Sequence, residues 1–398
     1  IRLIAVIYVM CAWYWLGRSR FHHSRWVILP ALSLVLLVSF LDVSRLPLVR
    51  VDPLIDKESL LELWEGSAGT VAVIRKQEHL KVKVNNHYTL GGTGSLEYER
   101  LQGYLPVLLH DAPESVYVLG LGSGITAGAS LKFPIKSLTV TELVPEVIEA
   151  SDKYFNDYTT GLFYDPRARV IAEDGRNYLR GTKQSFDVVI SDLFVPWKAG
   201  VGGLYSLEHF QTIKQRLNDG GLFMQWLPTY QLAKADFDII AKTMLEVFPQ
   251  VTVWRGDFAA RKPIIGLLGH KQVRPLSKSA WLFQNESDEP DRVSLMAHYV
   301  GNLSVMKKLY EHVPLNTDNF PVIEFSAPIN QRQTKSKKIT WFAGEQLITF
   351  MQQLQDASPY AEDQYLQTIP MSLKSQSLAG LHLHRGQWLK HKGKIAAA

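Results

Sequence analysis

Glycines and a serine follow the first of several predicted strands in this sequence. The apolar run SVYVL leads into Gly120-Leu-Gly122-Ser123-Gly124, and a predicted helix follows. Glycines at such a point let the backbone turn sharply and let a ligand approach closely, and the amides at a helix start face that ligand. The spacing is G-x-G-x-G, with Ile125 where a dinucleotide-binding loop would carry its third glycine. Tight structural turns use glycine too, so the loop alone does not define a site.

Acidic residues end the next two predicted strands. Glu142 lies about 20 residues beyond the glycine loop, where a carboxylate can accept hydrogen bonds from both ribose hydroxyls. Asp174, in the run Glu173-Asp174-Gly175, ends the third strand and can accept from an exocyclic adenine amine. No basic phosphate clamp accompanies these residues. The pattern therefore favours an adenosine ligand of the S-adenosylmethionine type over NAD or ATP, while a structural turn beside a surface Glu remains the alternative.

The fourth predicted strand ends in the candidate catalytic residue. Asp192 follows the apolar run VVIS, where a nucleophile would meet a sulfonium carbon. A carboxylate at that point can hold an incoming amine and take its proton. The alternative is an aspartate that caps the following loop. Residues 198–203 (KAGVGG) are glycine-bearing and predict a mobile flap over the pocket.

Strands and helices alternate over the part of the chain that carries these residues. Apolar strand-like runs are separated by helical patterns, which predicts a doubly wound, mostly parallel sheet with helices on both faces. Ligands of such sheets bind at the carboxyl ends of the strands, which brings the four sets of residues to one edge. The predicted helices are 125–132, 145–155, 175–180, 207–217 and 234–247.

Composition limits the class of protein. The chain has 398 residues, of which 46% are hydrophobic and 20% charged, so disordered, collagen-like and coiled-coil classes are excluded. Cys11 is the single cysteine, which rules out an intramolecular disulfide and a thiolate-cluster metal site. The net charge of +5 fits nucleic acid or an anionic membrane surface equally well.

Two nearly uncharged runs occupy the start of the chain. Residues 1–16 and 26–41 are each shorter than the roughly 20 residues that span a bilayer, but interfacial tryptophans and flanking arginines can extend them. They predict a transmembrane hairpin at 1–41 and a linker at 42–57. A signal peptide or a buried core helix is the alternative. The segment between the two runs and the segment after them carry similar numbers of arginines and lysines. The positive-inside rule therefore does not decide the orientation of the hairpin in the membrane.

The ordered set of motifs resembles the spermidine synthase (polyamine aminopropyltransferase) family, and more closely bacterial membrane proteins that carry such a domain behind transmembrane helices. The resemblance covers residues 69–328. The segments that carry it are Tyr98–Pro106, Gly120–Gly124, Thr141-Glu142, Glu173–Gly175, Asp192–Pro196, Leu204–Gln225 and Leu315–Pro328.

The resemblance implies an α/β fold. We expect a Rossmann-like, doubly wound seven-stranded sheet of the S-adenosylmethionine-dependent transferase type, with an N-terminal β-hairpin domain and the N-terminal transmembrane hairpin. The expected domains are a small β-domain at 58–112, the aminopropyltransferase-like catalytic domain at 113–328, and a helical, basic C-terminal extension at 329–398.

The resemblance also implies a reaction and roles for individual residues. The reaction is transfer of an aminopropyl group from decarboxylated S-adenosylmethionine to an amine acceptor, with release of methylthioadenosine. Asp192 would activate the attacking amine. The residues expected to bind the nucleoside co-substrate are Gly120, Gly122, Ser123, Gly124, Glu142, Asp174 and Gly175. Those expected to bind the amine are Tyr98, Glu99, Trp197, Tyr205 and Gln225.

Departures from the family pattern leave the substrate open. Ser123 and Val195 stand where the family has aspartates, and Glu99 and Arg100 replace its Gln/His-Glu pair. Ser123 removes a repulsion against a carboxylate, so the co-substrate is either the decarboxylated or the intact S-adenosylmethionine, with no metal expected. The alternatives are therefore a methyltransferase on an unknown substrate and a non-catalytic nucleoside-sensing domain attached to a membrane unit.

Partners and localisation follow from the same interpretation. The expected partners are a small-molecule amine, membrane lipid contacted by the N-terminal helices, and a second copy of the chain in a homodimer; nucleic acid is not expected. The expected localisation is the inner (plasma) membrane, multi-pass, with the catalytic domain in the cytoplasm.

Overall fold

The structure is a computed structural model that describes Cys11, Tyr14 and residues 58–85, 88–276 and 295–393. The chain divides into two compact units, Ile1–Asp56 and Lys57–Ala398. Nearly all of the described residues belong to the second unit, which contains both sheets and all the predicted site residues.

A small antiparallel sheet opens the second unit. Its strands, β1 (Glu58–Glu65), β2 (Thr70–Lys76), β3 (His79–Val84) and β4 (Tyr88–Gly92), pair in chain order. The alternating pattern of residues 69–88 predicts a β-hairpin or a small meander, and the structure has a four-stranded meander. Valines of β2 and β3 pack on a helix of the main domain, and the residues of this small core include Val71, Val73, Val82, Val84, Val147 and Phe155.

The main domain alternates strands and helices as predicted. Its elements are α1 (Leu96–Leu108), β5 (Ser115–Leu119), α2 (Ile125–Ala129), β6 (Ser137–Glu142), α3 (Pro145–Phe155), β7 (Ala168–Ala172), α4 (Gly175–Gly181), β8 (Phe186–Ser191), α5 (Leu207–Arg216), β9 (Leu217–Pro228), α6 (Lys234–Val247), β10 (Gln250–Arg255), β11 (Ile264–His270) and β12 (Tyr299–Asn302). Among the described residues these strands form one sheet, in the order β12-β10-β11-β9-β8-β5-β6-β7.

The order of strands reverses beside β5. From β5 the chain adds the parallel strands β6 and β7 on one side, and then crosses to add β8 and β9 on the other. The carboxyl ends of β5 and β8 therefore meet at a topological switch point, where ligands of open α/β sheets bind. The glycine loop follows β5 and Asp192 follows β8, so the fold brings both to this point.

The described part of the sheet has eight strands rather than the seven expected. The seven apolar runs recognised in the sequence are β5 to β11, and the additional strand is β12, which pairs antiparallel with β10. Strand β12 has the sequence YVGN. Four residues that include a glycine are too few to show a strand periodicity, so this strand was not predicted.

Helices in and just before the C-terminal extension follow strand β12 in the chain, and two of them, Glu345–Ala357 and Gln376–His391, contact that strand. They are α7 (Val322–Lys335), α8 (Glu345–Ala357), α9 (Met371–Lys374) and α10 (Gln376–His391). An amphipathic pattern at residues 341–354 predicts a helix over that stretch, but α8 begins only at Glu345 because Gly344 has φ of +58°. Leu347, Phe350 and Leu354 of α8 are buried in the core that β5, β8 and β9 share.

The predicted membrane localisation is contradicted. Within residues 58–85, 88–276 and 295–393, no helix is both long and apolar enough to cross a bilayer. This finding overturns the expected inner-membrane, multi-pass placement with a cytoplasmic catalytic domain. The runs 1–16 and 26–41, on which the transmembrane hairpin was predicted, and the linker 42–57 lie outside the described residues apart from Cys11 and Tyr14.

Candidate active site

The glycine loop runs through backbone conformations that favour glycine. Gly120 has φ of +91° and Gly122 has φ of +55°. A Cβ atom on Gly122 would lie 2.9 Å from the carbonyl oxygen of Leu90, and one on Gly120 would lie 3.3 Å from the Phe194 ring and 3.7 Å from Cβ of Asp192. The loop therefore passes between the end of β4 and the segment after β8, with no room for a side chain at Gly122 and little at Gly120.

Glu142 reaches from the end of β6 to the glycine loop. Its Oε2 accepts a hydrogen bond from the Leu121 amide and its Oε1 accepts one from the Val144 amide, both at 3.0 Å. The side chain is buried, and burial raises its pKa although the backbone hydrogen bonds favour the charged form. A carboxylate has about four lone-pair positions, so this one can accept further hydrogen bonds.

Asp174 has a structural role at the start of helix α4. Its Oδ1 accepts from the amides of Arg176 and Asn177, at 2.8 and 2.9 Å, which caps the helix. The following Gly175 is fixed by packing, since a Cβ there would lie 2.5 Å from Cγ of Leu119. The structure thus places Asp174 and Gly175 beside β5, the strand that leads into the glycine loop. Their contact with adenine stays a prediction.

Asp192 lies directly after β8 and is partly buried. Its backbone amide donates to the carbonyl of Leu119 at 3.2 Å, and its Oδ1 accepts from the Leu193 amide at 2.7 Å. The pKa of Asp192 is raised to about 7, chiefly by burial and also by the charges of Glu99 and Glu142, although the hydrogen bond from the Leu193 amide lowers it. A carboxyl group with this pKa changes protonation near neutral pH, which suits a general base.

Glu99 and Ser123 are in direct contact, which the sequence did not predict. Glu99 lies in the first turn of α1, and its Oε2 accepts a 2.5 Å hydrogen bond from Oγ of Ser123 in the glycine loop. Its Oε1 accepts from the Gly92 amide at 2.9 Å and from Oγ of Ser95 at 2.6 Å. Desolvation raises the pKa of Glu99 even though these hydrogen bonds lower it.

The other residues expected to bind the amine differ in how exposed their side chains are. Tyr98 is 43% exposed, whereas Tyr205 and Gln225 are fully buried and Trp197 is partly buried against the same core as Tyr205. The Tyr205 hydroxyl donates to the carbonyl of Phe194 at 3.4 Å, which connects it to the segment after Asp192. The structure thus brings Trp197 and Tyr205 to the β8 side of the site and leaves Tyr98 at the surface.

Ser191 is a candidate site residue that sequence reasoning missed. It precedes Asp192, is fully buried, and is paired with Gln225 across the β8–β9 ladder. Within the described residues, Oγ of Ser191 and Oε1 of Gln225 have no hydrogen-bond partner. A serine that follows the apolar run Val188-Val189-Ile190, next to the candidate catalytic acid, was the signal that could have identified it.

The loop predicted as a mobile flap is held by the segment before α7 and by its first turn. Glu324 accepts hydrogen bonds from the amides of Gly200 and Gly202, at 2.7 and 3.0 Å. Nδ2 of Asn316 donates to the carbonyl of Gly202 at 2.8 Å. Asp318 is used elsewhere, in ion pairs with the guanidinium of Arg176 and a neighbouring arginine. Glu324 therefore holds the loop through the amides of Gly200 and Gly202.

Comparison with known proteins supports the family resemblance for part of the chain. Residues 96–255 match the family model described as the spermine/spermidine synthase domain. The polyamine aminopropyltransferase of Korarchaeum cryptofilum is 32% identical over 37% of this chain and 46% of that protein. Those of Aeropyrum pernix and Sulfurisphaera tokodaii are 30% and 34% identical, over 46% and 37% of this chain and 59% and 49% of theirs.

The chain therefore spans about half the length of the curated relatives it matches. Among solved structures, spermidine synthase from Thermotoga maritima is 20% identical and covers 70% of this chain and 88% of its own, with a TM-score of 0.48. A spermidine synthase in complex with the transition state analogue AdoDATO has the same values. The finer resemblance to membrane-fused bacterial proteins finds no support in these comparisons.

Proposed function

We propose that the protein is an aminopropyltransferase that moves the aminopropyl group of decarboxylated S-adenosylmethionine to an amine acceptor and releases methylthioadenosine. The observation that carries the proposal is the position of Asp192, at the switch point beside the glycine loop and with its pKa raised to about 7. The match of residues 96–255 to the spermine/spermidine synthase domain supports the same reaction.

The donor nucleoside occupies the edge formed by β5, β6 and β7. The glycine loop after β5 admits the ligand, Glu142 accepts from the ribose hydroxyls, and Oδ2 of Asp174 accepts from the adenine amine. In this assignment Asp174 caps helix α4 with one oxygen and binds the base with the other. The sulfonium then lies toward Asp192, because β5 and β8 are adjacent.

Aminopropyl transfer requires that the donor and the acceptor are aligned and that the acceptor nitrogen is uncharged. Asp192 accepts a proton from the acceptor amine, whose lone pair attacks the methylene carbon next to the sulfonium. The new C–N bond forms as the C–S bond breaks, and its electron pair returns to sulfur, which leaves as the neutral thioether of methylthioadenosine. The sulfonium is a good leaving group, so positioning and deprotonation supply most of the catalysis.

The acceptor lies on the β8–β9 side of Asp192. Val195 offers no charge there, and the polar atoms available deeper in the site are Oγ of Ser191 and Oε1 of Gln225. Trp197 and Tyr205 add apolar and aromatic surface. This lining accepts hydrogen bonds from an amine but provides few carboxylates for a second cationic end, so the acceptor has to be identified among monoamines as well as diamines.

The test is to offer the purified full chain decarboxylated and intact S-adenosylmethionine with a panel of amines, and to identify the nucleoside product by mass spectrometry. Methylthioadenosine formed only from the decarboxylated donor and only with an amine supports the proposal. S-adenosylhomocysteine would mean methyl transfer instead. Binding of a donor with no product from any amine would mean a nucleoside-sensing domain.

A further inference from the structure

Arg255 is a buried cation at the end of β10. Its side chain has no exposed surface, and within residues 58–85, 88–276 and 295–393 it forms no ion pair with a carboxylate. Burial lowers the pKa of the guanidinium to about 9, so the group is still charged at neutral pH. A buried charge without a partner is costly, and it favours the binding of a counter-charge.

Two nitrogens of this guanidinium are open to a ligand. Nη1 donates to the carbonyl oxygens of Ala297 and Tyr299, at 2.8 and 2.9 Å. Nε and Nη2 are buried and have no hydrogen-bond partner among the described residues. The N–H groups of Nε and Nη2 point outward from the same edge of the guanidinium plane. This edge is the fork with which an arginine binds an anion.

His384 of helix α10 brings another open polar atom close to Arg255. The histidine is 1% exposed, and its Nδ1 has no partner in the part of the chain that the structure describes. Burial, together with the charge of Arg255, lowers the pKa of the ring to about 4. The imidazole is therefore neutral at pH 7, and in one of its two tautomers Nδ1 donates a hydrogen bond.

Close packing encloses the space between β10 and α10. A Cβ atom on Gly380 of α10 would lie 1.9 Å from the carbonyl oxygen of Ala297, so this helix approaches the segment before β12 very closely. Leu381 is buried in the same core as Val253, which lies on the same face of β10 as Arg255 because side chains alternate along a strand. Only a small ligand fits such an enclosed position.

Neighbouring titratable groups leave the charge of Arg255 uncompensated. Asp257 is the nearest acid along the chain, and its Oδ1 accepts from the amides of Ala259 and Ile264 at 3.0 and 3.4 Å. Burial raises the pKa of Asp257 to about 7, with no contribution from Arg255. Nδ1 of His298 donates to the carbonyl oxygen of Arg255 at 2.7 Å, so that nitrogen is already used.

We propose that the Nε–Nη2 edge of Arg255 and Nδ1 of His384 bind a small inorganic anion of the size of chloride. One negative charge neutralises the buried guanidinium, and three N–H groups gain an acceptor. Because Arg255 belongs to β10 and His384 to α10, the anion attaches the C-terminal extension to the main sheet. Neither residue takes part in the proposed reaction, so the inference does not depend on that reaction.

Unfolding of the full chain by urea tests whether chloride binds the folded state. Chloride is varied at constant ionic strength, with the larger organic anion isethionate as the replacement. Above the dissociation constant, we expect each tenfold rise in chloride to raise the ratio of folded to unfolded protein about tenfold, as one bound ion requires. A ratio that does not change with chloride would overturn the inference.

Two variants test the assignment to these residues. Arg255→Lys keeps a nitrogen donor for the two carbonyls but lacks the fork, and His384→Leu removes the third donor from an apolar position. We expect each to weaken chloride binding by about tenfold or more, the loss typical of a hydrogen bond to a charged group. Arg385→Lys and His382→Leu, at exposed positions of the same helix, are the matched controls and keep the wild-type chloride dependence. The wild-type dependence in Arg255→Lys or in His384→Leu would refute the site.

Hydrogen exchange of the folded protein locates the effect. We expect chloride to slow amide exchange in α10 and in residues 295–302, and to leave the strands β1 to β4 unchanged, because the ion joins α10 to the main sheet. In His384→Leu this difference should disappear. Equal slowing in β1 to β4 would indicate a general salt effect and would contradict the proposed anion site.

Discussion

Asp192 combines burial with the nearby charges of Glu99 and Glu142, and this environment explains its raised pKa of about 7. An ordinary aspartate is ionised at pH 7 and is a weak base, whereas a carboxylate with a pKa close to the working pH accepts a proton more readily. Keeping this group at the switch point costs stability whenever it is ionised, which is a common feature of catalytic groups.

Replacing Asp192 tests its role as the base. Asp192→Asn keeps the size of the side chain but cannot take a proton, so we expect kcat to fall by about 10² to 10⁴ while donor affinity changes little. Single-turnover rates and calorimetric donor binding measure the two effects. Asp219→Asn, at a side chain that is 89% exposed, is the control. Turnover by Asp192→Asn at the wild-type rate would exclude Asp192 from the mechanism.

The same pKa predicts how stability depends on pH. Between the ordinary pKa of 3.8 and about 7 the folded protein keeps the proton on Asp192 while the unfolded chain releases it. The free energy of unfolding therefore falls as pH rises through this window, and this contribution is fully lost above pH 7. We expect Asp192→Asn to be more stable than wild type at pH 8 and nearly equal at pH 4, as measured by denaturant unfolding. A difference that stays constant with pH would contradict the assignment.

At the scale of residues, the sequence predicted that Glu142, Asp174 and Asp192 lie at strand ends along one edge of the main sheet, because the carboxyl ends of parallel strands lie at the same edge. It did not predict the contact between Glu99 and Ser123, which depends on how helix α1 and strand β4 approach the loop. Local periodicity contains no information on that approach. The helix-capping role of Asp174 was also not foreseen.

At the scale of elements, the path of the glycine loop requires glycine at position 122. Gly122→Ala would require φ near +55° for a residue with a Cβ atom and would place that atom 2.9 Å from the Leu90 carbonyl. We expect a loss of about 1–3 kcal/mol in the free energy of unfolding and weaker nucleoside binding. Gly181→Ala, where nothing lies within 4 Å, is the control and should change stability little. Equal stability of the two variants in denaturant titrations would refute this account of the loop.

The clamp formed by Glu324 and Asn316 connects the loop at 198–203 to the start of α7. Glu324→Gln loses the charge-assisted acceptor for the two glycine amides, each bond being worth about 1.5–3 kcal/mol. We expect faster hydrogen exchange at Gly200 and Gly202 and a higher acceptor KM, with donor affinity unchanged. Exposed Glu311→Gln is the control. Unchanged exchange at both glycines would show that Glu324 does not hold the loop.

The alternating pattern predicted the elements from β5 to β11 and the helices between them, because both periodicities are strong over these runs. It missed β12, which has four residues, and it started α8 too early because it did not weigh Gly344. Sequence also predicted mobility for the loop at 198–203. The clamp on this loop comes from Glu324, more than a hundred residues away along the chain. No local sequence pattern around residues 198–203 indicates that contact.

At the scale of the whole molecule, the described unit joins the matched domain to elements beyond it. The family match ends at residue 255, the last residue of β10, yet β11 and β12 continue the same sheet and α7 supplies the clamp on the loop. Helix α8 shares the core of β5, β8 and β9. Residues outside the match therefore contribute to the proposed active site.

The most direct measurement uses decarboxylated S-adenosylmethionine labelled with carbon-13 in its propyl chain. The full chain is incubated with this donor and an amine panel, and the products are analysed by mass spectrometry. The account predicts labelled carbon in the amine product and unlabelled methylthioadenosine in equal amount, with both lost in Asp192→Asn. Intact labelled donor after exhaustive incubation with every amine would contradict the central claim.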